Sequence, residues 1–170
     1  MRIAILSDSH DHFERLEAAV AGAKASGAEA VLHCGDIVSP NVLKGLPRFG
    51  LPLHLIHGNN QGDLVTLMGL VQRHPDIFRY HGQDADIRLG ERRIFMVHYP
   101  HYGHAMALTG DYDLVCCGHE HVLAITWVEN IRGGRTLLIN PGTVAGISAP
   151  ATYVLCDLET LRCEVRELRG

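Results

Sequence analysis

Three times in its opening third the chain runs through a short apolar stretch and halts at a polar turn. Residues 2–6 stop at Ser7-Asp8-Ser9-His10, residues 30–34 at Gly35-Asp36, and residues 53–57 at Gly58-Asn59-Asn60. Apolar runs of this length read as strands covered on both faces. Between the first two, Phe13, Leu16, Val20 and Ala23 recur at helical spacing, with Asp11 as N-cap, Glu14 in capping-box position and Gly27 as the stop. Residues 40–49 form a shorter helical stretch broken by Pro47 and closed by Gly50, and residues 64–73 read as another helix. Strand and helix in alternation predict a parallel sheet with crossover helices, an α/β fold. Ligands of open α/β sheets gather at the carboxyl ends of strands, where Asp8, Asp36 and Asn59 arrive.

The second half changes character. Residues 85–89 and 93–97 form a hairpin through Gly90-Glu91-Arg92, and the second strand runs into His98. A histidine-rich loop and short helix occupy residues 99–110, and residues 113–117 make a buried strand ending at Gly118-His119-Glu120-His121. Further strands at residues 123–128, 135–139, 152–156 and 162–168 imply mixed or antiparallel pairing. No repeat or linker divides the 170 residues, so a single domain over 1–170 is expected.

A net charge of −4 without a basic run argues against broad capture of nucleic acid. A small phosphorylated substrate remains compatible, because bound metal can meet its charge. No apolar stretch is long enough to span a bilayer or form a signal-peptide core, which with the cysteines points to a cytoplasmic protein. The five cysteines form no Cys-x-x-Cys pair and are read as reduced, buried small hydrophobes. Twelve histidines exceed what core packing asks for, and histidine is the commonest metal ligand. His33, His54 and His57 lie within strands and read as core or sheet-face groups, and His12, His74 and His81 as solvated.

The metal candidates are Asp8, His10, Asp36, Asn59, His98, His119 and His121. Asp8 and His10 stand two apart, on one side of an extended chain. Two carboxylates, an amide oxygen and four imidazoles are too many donors for one ion and suit two, with Asp36 able to bridge. A nitrogen and oxygen set without thiolate favours manganese, iron or zinc over calcium or magnesium.

Asp8-x-His10, Gly35-Asp36, Gly58-Asn59, His98 and Gly118-His119-x-His121, in this order over nearly the whole chain, resemble the calcineurin-like metallophosphoesterase superfamily. The length and the Asn140-Pro141-Gly142-Thr143 segment are similar to its small bacterial and archaeal phosphodiesterase branch. The resemblance implies a four-layer α/β/β/α sandwich of two mixed β-sheets. It implies two divalent transition metal ions, manganese first, with iron, zinc, nickel or cobalt as alternatives. Asp8, His10 and His121 would hold one, Asn59, His98 and His119 the other, and Asp36 both. A hydroxide shared by the two ions would attack phosphorus. Dimers or higher homo-oligomers are also compatible with it.

Two departures from the family pattern bear on substrate. Asn60 and Gln61 stand where many members carry a histidine acid and an acidic residue, and an amide cannot act as a general acid. Branch members lacking that histidine favour diesters, so a phosphodiesterase is expected. The usual His-Gly-His is here His98-Tyr99-Pro100-His101, leaving His101 or His104 to supply a proton or touch phosphate, and Asp63 as a stand-in for the missing acid. Asn60, Asn140 and Gly142 are the substrate-binding candidates, with Asp36, Asn59, His98 and His101 the catalytic ones. Tyr99 and Tyr102 are able to stack on a nucleobase. The competing readings are a non-catalytic scaffold like the retromer subunit of this fold, and a phosphomonoesterase or dinucleotide polyphosphate hydrolase.

Overall fold

Successive side chains of a strand point to opposite faces, and in β1 (Arg2–Leu6) both faces are apolar. Ile3 and Ile5 take one side, Ala4 and Leu6 the other, all fully buried. Such a strand needs cover on each side. The computed structural model, which describes residues 1–169, supplies it with four layers. The remaining strands are β2 (Ala30–His33), β3 (Leu53–Leu55), β4 (Phe78–Tyr80), β5 (Asp84–Leu89), β6 (Arg92–Val97), β7 (Leu114–Cys116), β8 (Leu123–Glu129), β9 (Arg135–Pro141), β10 (Thr152–Asp157) and β11 (Arg162–Glu167). The α-helices are α1 (Phe13–Ala25), α2 (Leu64–Arg73) and α3 (Pro100–Thr109).

One sheet has the order β11-β10-β1-β2-β3-β4 and the other β5-β6-β7-β9-β8. β1 through β4 are parallel, with β10 and β11 added antiparallel. In the second sheet β6, β7 and β9 are parallel, and β5 and β8 antiparallel to their neighbours. Ile3, Ile5, Leu32 and Ile56 meet Ile94, Met96, Leu114 and Ile139 between the sheets. Ala4, Leu6, Val31 and Leu55 pack under Leu16, Val20 of α1 and Leu67, Leu70 of α2. Val115 and Phe95 lie under Ala107 and Met106 of α3. This is the expected α/β/β/α sandwich of two mixed sheets. The carboxyl ends of β1, β2, β3, β6 and β7 therefore open on one edge.

Several local expectations change. His12, not Asp11, caps α1, its Nδ1 accepting from the Arg15 amide at 3.4 Å. Asp11 turns away to accept from the backbone of Ser39. Residues 40–49 form two single-turn 3₁₀ helices, Pro40–Leu43 and Leu46–Phe49, because Pro47 interrupts any longer run. A further strand, β4, has three residues with an exposed arginine in the middle, a pattern with no periodicity. Cys156 and Cys163 face each other across the β10–β11 pair and form a disulfide, so only Cys34, Cys116 and Cys117 are the buried free thiols expected. Burial pushes the Cys34 and Cys117 thiols upward.

His54 is buried on β3 as expected, but His81 is not merely solvated. Its Nε2 lies 3.0 Å from His54 Nδ1, with the rings stacked at 5.1 Å. Burial, with His81 and Arg79 nearby, lowers the His54 pKa to about 4. A histidine held below its unfolded value of about 6.5 makes unfolding take up a proton. Stability is thus complete above pH 6.5 and declines as pH falls from there toward 4. At pH 5 the loss from this group is on the order of 2 kcal/mol. Urea titrations at pH 7.5 and 5.0 should show a clearly smaller difference in His54→Gln than in wild type; an unchanged difference would contradict this role.

Candidate metal centre

Each strand that opens on the common edge ends in a turn that its sequence makes sharp. Asp8, His10, Asp36, His119 and His121 all have positive φ, between 39° and 72°. Non-glycine residues pay about 1–2 kcal/mol each for this region, although Asp and His tolerate it better than most. Five such residues among seven candidates mark a place where surroundings override local preference. Thr143 Oγ donates to the Asp8 carbonyl at 2.9 Å, and the Val144 and Ala145 amides donate to Ser7 and Asp8 carbonyls.

The turns bring all seven candidates together. Asp8 and Asp36 are buried, at 0% and 2% exposure. The Asp8 Oδ1 lies 3.3 Å from His121 Nε2 and 3.8 Å from His10 Nε2, and the two imidazole nitrogens are 3.1 Å apart. Asp36 reaches both sides: Oδ2 is 3.6 Å from His10 Nε2, and Oδ1 3.5 Å from His98 Nε2. Asn59 Oδ1 sits 3.0 Å from His98 Nε2 and 2.8 Å from His119 Nδ1.

Tautomers are set from behind. His98 Nδ1 is 2.8 Å from the Cys34 carbonyl and His121 Nδ1 3.1 Å from the Ile147 carbonyl. A carbonyl only accepts, so Nδ1 carries the proton and each Nε2 turns a lone pair to the cluster. Buried Asp8 Oδ1 has no hydrogen-bond partner among the described residues. An orphaned carboxylate oxygen facing imidazole lone pairs is what a cation would satisfy. Asp8, His10 and His121, and Asp8, Asp36 and His98, each bring ligand atoms within 4.8 Å of one another. The donors thus fit divalent metal.

The other predicted residues are placed differently. The Asn60 side chain donates to Asp36 Oδ2 at 2.7 Å and its amide to Oδ1 at 2.8 Å, so it orients that carboxylate. Asn140 is buried, donating to the Gly118 carbonyl at 2.9 Å and accepting from the Gly142 amide at 3.1 Å. Its two polar ends are both turned to backbone, and Gly142 is buried beneath Thr152. These contacts make Asn140 and Gly142 supports of the turn before His119. His101 is exposed at the start of α3, one ring removed: Tyr99 lies 5.7 Å from it and 4.7 Å from His119. His104 is exposed on the same helix, and Asp63 caps α2 by accepting from the Thr66 amide at 3.0 Å. Thr143 is not singled out by itself from sequence, only as part of the 140–143 segment, whereas His33 is the core histidine expected. The buried His33 Nε2 contacts Ser9 Oγ at 3.1 Å, and burial lowers its pKa to about 3.

The family model described as "Calcineurin-like phosphoesterase superfamily domain" matches residues 1–161. A phosphodiesterase of Methanocaldococcus jannaschii is 30% identical over 173 residues, covering 99% of this chain and 98% of that protein. The solved structure of an archaeal phosphodiesterase has a TM-score of 0.88 at 26% identity, over 99% of this chain and 100% of that one. Vacuolar protein sorting 29 of Cryptosporidium parvum shares the fold at TM-score 0.67 and 15% identity, over 98% and 96% of the two chains.

Glycines before the ligands leave no room for a side chain. A methyl at Gly58 would press on Asp36 Oδ1 and come within 2.7 Å of the His98 ring, and one at Gly118 within 2.7 Å of Asp8 Oδ2. Gly58 lies outside the positive-φ region, so alanine there strains the site and not the backbone. Gly58→Ala should keep the far-ultraviolet circular dichroism of wild type and lose about tenfold or more in manganese affinity by calorimetry. Unchanged affinity would contradict the crowding of Asp36 and His98.

Proposed function

The chain belongs to the calcineurin-like phosphoesterase superfamily, and from that premise we propose that it is a metal-dependent phosphodiesterase. One observation carries the reading: two half-clusters of imidazole and oxygen donors share the buried Asp36 carboxylate. Asp8, His10 and His121 would hold one divalent ion, and Asn59, His98 and His119 a second. When bound, such a pair lowers the pKa of water and neutralises charge on the phosphoryl oxygens. Manganese is the favoured metal, with iron or zinc next, since no thiolate takes part.

The protein's own part is preorganisation. The carbonyls of Cys34 and Ile147 hold His98 and His121 in the tautomer that leaves Nε2 free. Asn60 holds Asp36 from the solvent side, where a histidine acid would otherwise stand. Its amide has no proton to give a departing alkoxide. Turnover then depends on the leaving group, which supports diesters and activated esters over alkyl monoesters. The relative that is a phosphodiesterase points the same way. The sorting protein of this fold keeps the scaffold reading in view, but all seven donors stand in place here, which supports catalysis.

The test is turnover of bis(4-nitrophenyl) phosphate against 4-nitrophenyl phosphate by the manganese-loaded protein. Diester-selective hydrolysis that a chelator removes is expected. Metal binding without turnover of either ester, together with a stable protein partner, would favour the scaffold. Asp36→Asn should lower diester kcat by more than about a hundredfold with the fold intact, because both half-clusters lose a charged donor; near-wild-type turnover would contradict the sharing. Asn60→His should raise the monoester-to-diester ratio, and an unchanged ratio would remove the missing acid as the reason for selectivity.

A further inference from the structure

Beside the seven-residue cluster lies a cavity of about 590 Å³, within the usual range for small-molecule sites. Asn59 and His98 line it as well as the cluster, so whatever fills it reaches the phosphoryl position. We propose that this cavity seats one ester arm of the phosphodiester, and that the arm it selects is uncharged, planar and of nucleoside size. This rests on the phosphodiesterase reading.

The walls are aromatic and apolar. Phe95 of β6 is backed by Tyr112 at 5.0 Å between ring centroids, which stiffens it, and Val97 and Met106 continue the surface. Tyr99 and Tyr102 complete it, Tyr99 touching the His119 ring at 4.7 Å. A flat ring offered to such walls gains stacking and edge contacts. Among the lining residues there is no lysine or arginine, and Asp84 is the one carboxylate. A second phosphate on the arm would meet no cation and one like charge, which argues against polyphosphate substrates. Exposed Gln61 and Gln83 add carboxamides, each able to donate to and accept from a base edge. A quaternary ammonium would instead need several ring faces converging on one point. Tyr99 and Tyr102 meet at 85° with centroids 6.0 Å apart, a corner and not a cage.

The test uses manganese-loaded protein and three diesters sharing a 4-nitrophenyl leaving group, with methyl, choline or thymidine 5′ as the other arm. The thymidine ester should exceed the methyl ester in kcat/KM by about tenfold or more, carried by KM, as one stacked base allows. That ratio should fall toward one in Tyr102→Ala and in Phe95→Leu. Equal values for the thymidine and methyl esters, a preference for choline, or a ratio unmoved by Tyr102→Ala overturns the proposal. Saturation-transfer NMR with thymidine reads the cavity without turnover. Base-proton contact in wild type, lost in Tyr102→Ala, supports the proposal, and its absence in wild type overturns it. Inactivity on all three esters despite that contact would strike the phosphodiesterase reading and leave the cavity's preference standing.

Discussion

Two buried carboxylates sit at the meeting of the two sheets with no fixed positive charge beside them. Among the described residues, every ionic partner of Asp8 and Asp36 is a histidine. Burying an ionised carboxylate is costly unless it is paired and hydrogen-bonded. Asn60 and the His119 amide meet part of that need at 2.7–3.0 Å, and Asp8 Oδ1 accepts no hydrogen bond among the described residues. A fold that aims imidazole lone pairs at an unsatisfied carboxylate has a deficit of positive charge, and cations supply it. The positive-φ turns, the glycines without room for a methyl and the carbonyl-held tautomers all maintain that deficit.

The centre exists only because two sheets close on each other. Asp8, His10, Asp36 and Asn59 follow strands of the first sheet, and His98, His119 and His121 follow strands of the second. The Ile3, Ile5 and Ile56 contacts with Met96, Leu114 and Ile139 hold the halves in register. The end of β9 and the turn after it link them: Asn140 holds the carbonyl of Gly118, and Thr143 holds that of Asp8. Stability of the inter-sheet core and geometry of the donors are therefore one property.

Much of this was legible from residue order, for a physical reason. Doubly covered strands are written as unbroken apolar runs, and their polar ends stand out: Asp8, Asp36 and Asn59 needed no structure to be noticed. The edges of the first sheet showed themselves less clearly, since three-residue β4 carries no pattern and the Cys156–Cys163 pairing depends on the register of β10 with β11. Long-range hydrogen bonds were the blind spot. Nothing local to Asn140 and Gly142 shows that they are held against Gly118 and Thr152. His81 looked solvated because its partner, His54, lies 27 residues away. The cavity walls came from β6 and α3 together, so Tyr99 and Tyr102 alone did not define an occupant.

Anomalous diffraction from crystals of the manganese-loaded protein tests the charge deficit most directly. Two peaks are predicted, one among Asp8, His10 and His121 and one among Asn59, His98 and His119, with Asp36 touching both. Manganese found elsewhere on the surface, with Asp8 and Asp36 still bare, would contradict it.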